Sequence, residues 1–142
     1  METNPSQSLA DAPSPEALVD AIPYCRHLGV RVHIENGQLT LHLPFAGHLI
    51  GNPMLPALHG GVIGSLLEMA ALAQVIFELR TAKLPKPVDI AIDYLHSGRA
   101  RDSFARARIA KQGRRVVNVQ AEMWQDERTK PIATLRGHVL IE

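Results

Sequence analysis

Residues 58–79 read Leu58-His59-Gly60-Gly61-Val62-Ile63-Gly64-Ser65-Leu66-Leu67-Glu68-Met69-Ala70-Ala71-Leu72-Ala73-Gln74-Val75-Ile76-Phe77-Glu78-Leu79. The apolar positions Val62, Ile63, Leu66, Leu67, Ala70, Ala71, Leu72, Ala73, Val75 and Ile76 cover most of a helical circumference. That is expected only of a helix surrounded by other structure. The stretch is about long enough to cross a bilayer. However, His59, the Gly60-Gly61 pair, Glu68, Gln74 and Glu78 interrupt it, and intramembrane polar groups are expensive. It therefore predicts the central helix of a soluble core, starting near His59.

The flanks supply the partner for that helix. Upstream, Val30, Val32 and Ile34 alternate with Arg31, His33 and Glu35, Asn36-Gly37 offers a tight turn, and Leu39, Leu41 and Leu43 resume the alternation. This is a β-hairpin signature. Pro44 to Pro56 holds three prolines and two glycines and predicts a long loop without regular structure. Downstream, Val88-Ile90-Ile92-Tyr94, Ala105-Ala107-Ile109, Val117-Val119-Ala121-Met123 and Ala133-Leu135-Val139-Ile141 each show period-two alternation. The turn signals between them, at His96-Ser97-Gly98, Lys111 to Arg114 and Gln125 to Lys130, are short enough for an antiparallel meander. Ser14-Pro15-Glu16 offers an N-cap and a proline at the first helical position, and Pro23 ends the short helix so begun.

The expected fold is thus α+β: a six-stranded antiparallel sheet wrapped around one long central helix, with a short N-terminal helix. Residues 1–13 are expected to be a flexible tail without the basic start and apolar block of a signal peptide, and residues 14–142 a single domain. One sheet face packs the helix, so the other is solvated or covered by a partner chain, and a homo-oligomer is expected. A chain of 142 residues that is 46% hydrophobic can bury a core unaided. Its net charge of +1 gives no global pull toward nucleic acid or an acidic membrane. Cys25 is the only cysteine, which excludes an intramolecular disulfide and fits a reducing, cytoplasmic setting.

Two chemical devices meet in the central helix. The Gly60-Gly61 pair lies at its N-terminus, where free backbone N–H groups and the positive end of the helix dipole receive a developing oxyanion and the missing side chains admit a ligand. Glu68 is a lone carboxylate in the most apolar helix of the chain, and burial without a cation in reach would make it a stronger base than a surface glutamate. Eight residues rise about 12 Å along a helix axis, so one chain cannot bring both to the same carbon. Two antiparallel helices from two chains would place Gly60 opposite Glu68 and form a composite site.

His59-Gly60-Gly61, with an acid nine positions after the histidine and a Gly51-Asn52-Pro53 loop before it, resembles the phenylacetate-degradation type thioesterases of the hotdog fold, within the 4-hydroxybenzoyl-CoA thioesterase superfamily. The resemblance covers roughly residues 26–142. It implies a hydrolase that cleaves an aryl or fatty acyl-CoA, in which the N–H of Gly60 polarises the thioester carbonyl and Glu68 attacks it or activates water. Asn52 and His59 would orient substrate or water. It implies no metal and no organic cofactor. This chain departs from the family pattern in carrying Glu68 where many members have aspartate, and in placing Asn52 seven residues before His59 where six is usual. It also has Leu72 and Pro87 where some members carry a hydroxyl, which leaves Ser65 as the nearest hydroxyl on the helix.

Gly61, Ser65 and Leu55 are the expected lining of the substrate site, with Leu49, Ile50 and Met54 near the acyl chain. Residues 99–115 hold seven of the fifteen basic residues (Arg99, Arg101, Arg106, Arg108, Lys111, Arg114 and Arg115) against one acid, Asp102. A solvated strand face is the plain reading. The functional one is a patch for the phosphates of coenzyme A, led by Arg114 and Arg115. Aromatics at 4% are too few to interleave as stacking platforms for nucleic acid. The remaining histidines lie in separate elements without the close pairing of a metal site. The expected partners are therefore an acyl-CoA and further copies of this chain, as a homodimer or homotetramer. A rival from another class is a noncatalytic acyl-CoA or small-ligand binding protein of the same fold.

Overall fold

The computed structural model describes residues 13–142; the expected tail at residues 1–13 lies almost wholly outside them. Ser14 caps helix α1 (Pro15–Ala21), its Oγ accepting the N–H of Ala17 at 3.0 Å, as its sequence predicts. Pro23 ends α1 but also opens a second short helix, α2 (Pro23–Leu28), which the sequence reading did not foresee. At the first helical position proline lacks only an N–H that no helix carbonyl would accept. Gly29, at φ +85°, closes α2 in the left-handed conformation.

The hairpin follows as strands β1 (Arg31–Glu35) and β2 (Gln38–Leu43). Its turn residues Asn36 and Gly37 both have positive φ, 53° and 73°, the conformation that matches the twist of a two-residue hairpin. The Pro44–Pro56 stretch, expected to be irregular, holds a 3₁₀ turn (Gly47–Leu49) and a small hairpin of strands β3 (Ile50–Asn52) and β4 (Ala57–Leu58). Its prolines sit between the strands, at 53 and 56, where no ladder N–H is lost.

Helix α3 (Gly60–Leu79) is the long central helix, and eleven of its twenty residues are buried. By length and composition it passes as a membrane span, yet its apolar surface is spent on the domain's own core. Strands β5 (Lys86–Tyr94), β6 (Ser103–Gln112), β7 (Val116–Trp124) and β8 (Ala133–Leu140) complete the sheet.

Strand order is β1-β2-β6-β7-β8-β5, with every pairing antiparallel. Only β6, β7 and β8 form the expected meander. Strand β5 pairs with β8 at the far edge, so His96-Ser97-Gly98 is no hairpin turn. It belongs to a crossover, residues 95–102, that runs back beneath the start of α3 to β6. The crossover is tied there by the N–H of Leu58 donating to the carbonyl of Gly98 (2.9 Å) and by a bridge between Ala57 and Arg99.

The inner sheet face (Leu39, Leu41, Leu43, Ala105, Val117, Val119, Met123, Leu135 and Val139) closes on Leu66, Leu67, Ala70, Ala73, Val75 and Ile76 of α3. The outer face carries Thr40, His42, Arg106, Arg108, Gln120, Glu122, Arg136 and His138. Helices α1 and α2 add Leu18, Val19, Cys25 and Leu28 to the core beside α3. This is the hotdog arrangement: one helix held in a six-stranded antiparallel sheet.

Candidate active site

The start of α3 is built from four segments. His59 is its N-cap, and its own N–H donates to the carbonyl of Leu49 (2.9 Å). Gly51 of β3 presses against it: a Cβ built on Gly51 would fall 2.7 Å from Cα of His59, so only glycine permits this approach. On the far side Tyr94, the last residue of β5, donates its O–H to the carbonyl of Gly60 at 2.8 Å. Two residues earlier, Ile92 meets Gly64 so closely that a Cβ there would lie 2.9 Å from Cδ1 of Ile92. A cavity of about 350 Å³ opens beside this junction, lined by Leu58, Gly60, Ile63, Tyr94, His96 and Gly98 among others.

Within this frame the two glycines differ. The N–H of Gly61 donates to Nδ1 of His59 at 2.9 Å, so it is already satisfied inside the chain. The neutral His59 ring then carries its proton on Nε2. Among the described residues no acceptor takes the N–H of Gly60, which stands at the positive end of a 20-residue helix. Gly60 is thus the open donor of the pair.

Glu68 lies two turns further along the exposed stripe of α3 with Gly61 and Ser65. It is half-buried rather than enclosed, and among the described residues it makes no ion pair. A structural ion pair, for instance with Arg80 or Lys83, is therefore absent, and a carboxylate that simply reaches the helix surface is the plain reading that stands beside the functional one. Its charge is felt at the thiol of Cys25 on α2. Burial, and after it the charge of Glu68, pushes that thiol up to about 11. Ser65 donates its hydroxyl to the carbonyl of Gly61, four residues back, at 2.7 Å, a bond common to helical serines.

Other expected site residues stand apart. Asn52, an exposed residue, accepts the N–H of Met54 with its Oδ1 (3.0 Å), shaping the turn between β3 and β4. Leu55 is at the tip of that turn beside Met54, both exposed. The basic run at 99–115 does not gather into one patch. Arg101 pairs with Asp126 at 2.6 Å, Arg106 binds Thr40 and Gln38, and Arg108 binds Gln120. Arg114 and Arg115 occupy the β6–β7 turn at the C-terminal end of α3, where Arg115 meets Glu142 at 3.2 Å. In one chain they lie roughly the 30 Å length of α3 from Gly60. Tyr94 was not anticipated from the sequence, because nothing local links a strand end to a glycine 34 residues before it.

The family model of the thioesterase superfamily matches residues 55–132, a span that includes α3 and Tyr94 but neither the first hairpin nor Asn52. Among solved structures, a Chromobacterium violaceum protein is 41% identical, covering 88% of this chain and 87% of its own, with a TM-score of 0.71. A phenylacetic acid degradation-related protein of Ralstonia eutropha JMP134 is 20% identical over 89% of this chain and 98% of its own, with a TM-score of 0.74. A Bacillus halodurans protein solved with CoA is 21% identical over 81% and 75%, with a TM-score of 0.73. At the last two identities the likeness is one of fold. No curated protein matches the chain.

Proposed function

The chain belongs to the thioesterase superfamily, and from that premise we propose that it hydrolyses acyl-CoA thioesters at a site shared by two protomers. The observation that carries this reading is the pairing of an open N–H on Gly60, at the head of α3, with an unpaired carboxylate on Glu68. These are the donor and the base or nucleophile that acyl transfer needs. About 12 Å of helix separates them within a chain, so a second copy must bring its own Glu68 opposite Gly60.

Strand β5 offers a means of pairing. It is an edge strand and leaves Val88 and Ile90 61% and 40% exposed. An unpaired, apolar edge invites another strand, and β5 of a second copy would extend the sheet while setting the two α3 helices side by side.

In the proposed reaction the thioester oxygen accepts from the N–H of Gly60 while its carbonyl carbon is attacked. If water attacks, Glu68 takes its proton; the C–S bond then breaks, and CoA leaves as the thiol by recovering that proton, with the acid as second product. If Glu68 attacks directly, CoA leaves first and water cleaves the resulting anhydride. In this reading the cavity beside Gly60 and Tyr94 takes the arm of the substrate next to the thioester. His59 sits in the chain between its lining residues Leu58 and Gly60, and Arg114 and Arg115 of the second copy are the candidates for the distant phosphates.

A screen of short, medium, long and aryl acyl-CoA substrates with detection of free thiol tests this directly. Turnover of at least one class is the expected result. Tight binding of CoA esters with none hydrolysed would instead select the noncatalytic binding protein.

A further inference from the structure

Tyr94 and His59 hold opposite ends of one peptide group. The O–H of Tyr94 donates to the carbonyl oxygen of Gly60 at 2.8 Å. The N–H of that same peptide, on Gly61, donates to Nδ1 of His59 at 2.9 Å. A carbonyl that accepts a hydrogen bond draws the amide nitrogen's lone pair further into the C–N bond, and the N–H becomes a better donor. Such cooperativity strengthens each bond by about 10–30% in condensed phases.

We propose that Tyr94 is a positioning residue that acts through the Gly60–Gly61 peptide to hold His59 in its Nε2–H tautomer. The inference rests on the reading of His59, Gly60 and Glu68 given above, and it assigns His59 a role there. A ring whose Nδ1 is occupied by a donor presents only an N–H to a ligand. His59 is then a hydrogen-bond donor to the thioester oxygen or the departing sulfur, and Glu68 alone serves as base.

The geometry that fixes the relay comes from three elements. Gly51 of β3 backs onto His59 and Ile92 of β5 locks against Gly64, so neither the ring nor the strand end that carries Tyr94 is free to drift. The carbonyl of a residue in a helix already accepts from the N–H four residues ahead. The hydroxyl of Tyr94 is therefore a second bond to Gly60, and its loss strands no buried acceptor.

Tyr94→Phe in the full chain is accordingly a clean test, since ring packing is kept and only the donor goes. Nitrogen-15 NMR of the His59 imidazole, at a pH where the ring is neutral, is expected to show the Nε2–H pattern in the native protein and a larger share of the Nδ1–H tautomer in the variant. In kinetics, kcat is expected to fall by up to about twofold, the worth of 10–30% of one net hydrogen bond, with KM unchanged. The substitution should add nothing in a His59→Ala background. An unchanged tautomer in Tyr94→Phe, or an equal further loss in the His59→Ala background, would overturn the relay. The NMR arm needs no substrate, so a chain that cleaves no thioester yet shows the tautomer shift would refute the proposed reaction and leave the relay standing.

Discussion

Burial first, and the negative charge of Glu68 after it, raise the thiol of Cys25 from its ordinary 9.0 to about 11. At neutral pH Cys25, 1% exposed, is a protonated, inert packing group. The folded protein is expected to resist thiol reagents at mild pH and to take up one equivalent once denatured. Because the folded state keeps the proton longer than the unfolded chain, stability stays flat below about pH 9 and declines as pH rises toward about 11. The loss is on the order of 2 kcal/mol. Urea midpoints across that range measure it, and Cys25→Ala should remove the decline.

Glu68→Gln preserves side-chain volume and removes basicity. It is expected to keep fold and assembly while cutting kcat at least about 100-fold, the lower end for a lost general base. Mixing these chains with Gly60→Pro chains, which lack the N–H at position 60, should regenerate one working site per mixed dimer. Full activity in Glu68→Gln alone would refute the mechanism.

The exposed edge of β5 predicts the assembly. Val88→Lys with Ile90→Lys, charges of the kind that edge strands use against pairing, should leave a monomer in light scattering where the unaltered chain is expected to run as an oligomer, and abolish turnover with the fold intact by circular dichroism. An active monomer would show that no second chain is needed.

Gly51 is the tightest backbone approach to His59. Gly51→Ala must push β3 and the N-cap of α3 apart. A destabilisation of about 1–3 kcal/mol is expected, as for other overpacked sites, with a loss of activity larger than the change in Tm alone would produce. Wild-type stability in thermal unfolding would mean that β3 yields freely.

Replacing Arg114 and Arg115 by alanine is expected to raise KM for CoA esters more than it lowers kcat, because phosphate contacts far from the thioester bind ground and transition states alike. A truncated pantetheine thioester should be unaffected. An equal loss with that substrate would exclude the phosphate role.

Features set by neighbours in sequence were readable from it. Asn36-Gly37 marks its hairpin because only certain residues adopt two successive positive φ angles, and α3 declares itself by being apolar on nearly every side. The place of β5 was not readable: Val88, Ile90 and Ile92 alternate as the buried strands do, and only the fold decides that β5 sits at an edge beside β8. Pro53 and Pro56 hid a small hairpin by occupying its turn. At the site, the glycine pair and the lone acid stood out by residue type. The bonds that already occupy Gly61, Ser65 and Asn52 did not, since each depends on rotamer and cap geometry. Tyr94 reaches Gly60 only because the crossover carries β5 to the far edge.

That crossover also dictates an order of events as the chain folds. Strands β6, β7 and β8 zip through short turns, whereas β5 must wait for β8 to exist before it has a ladder to join. Closing such non-local pairings is the slow part of building a sheet. Tyr94 arrives with β5, so the hydroxyl reaches Gly60 only once β5 has joined β8. A chain in which β5 has not yet docked would keep the β6–β7–β8 ladder and leave the proposed site unfinished. Recovery of activity in refolding should therefore lag behind the recovery of circular dichroism.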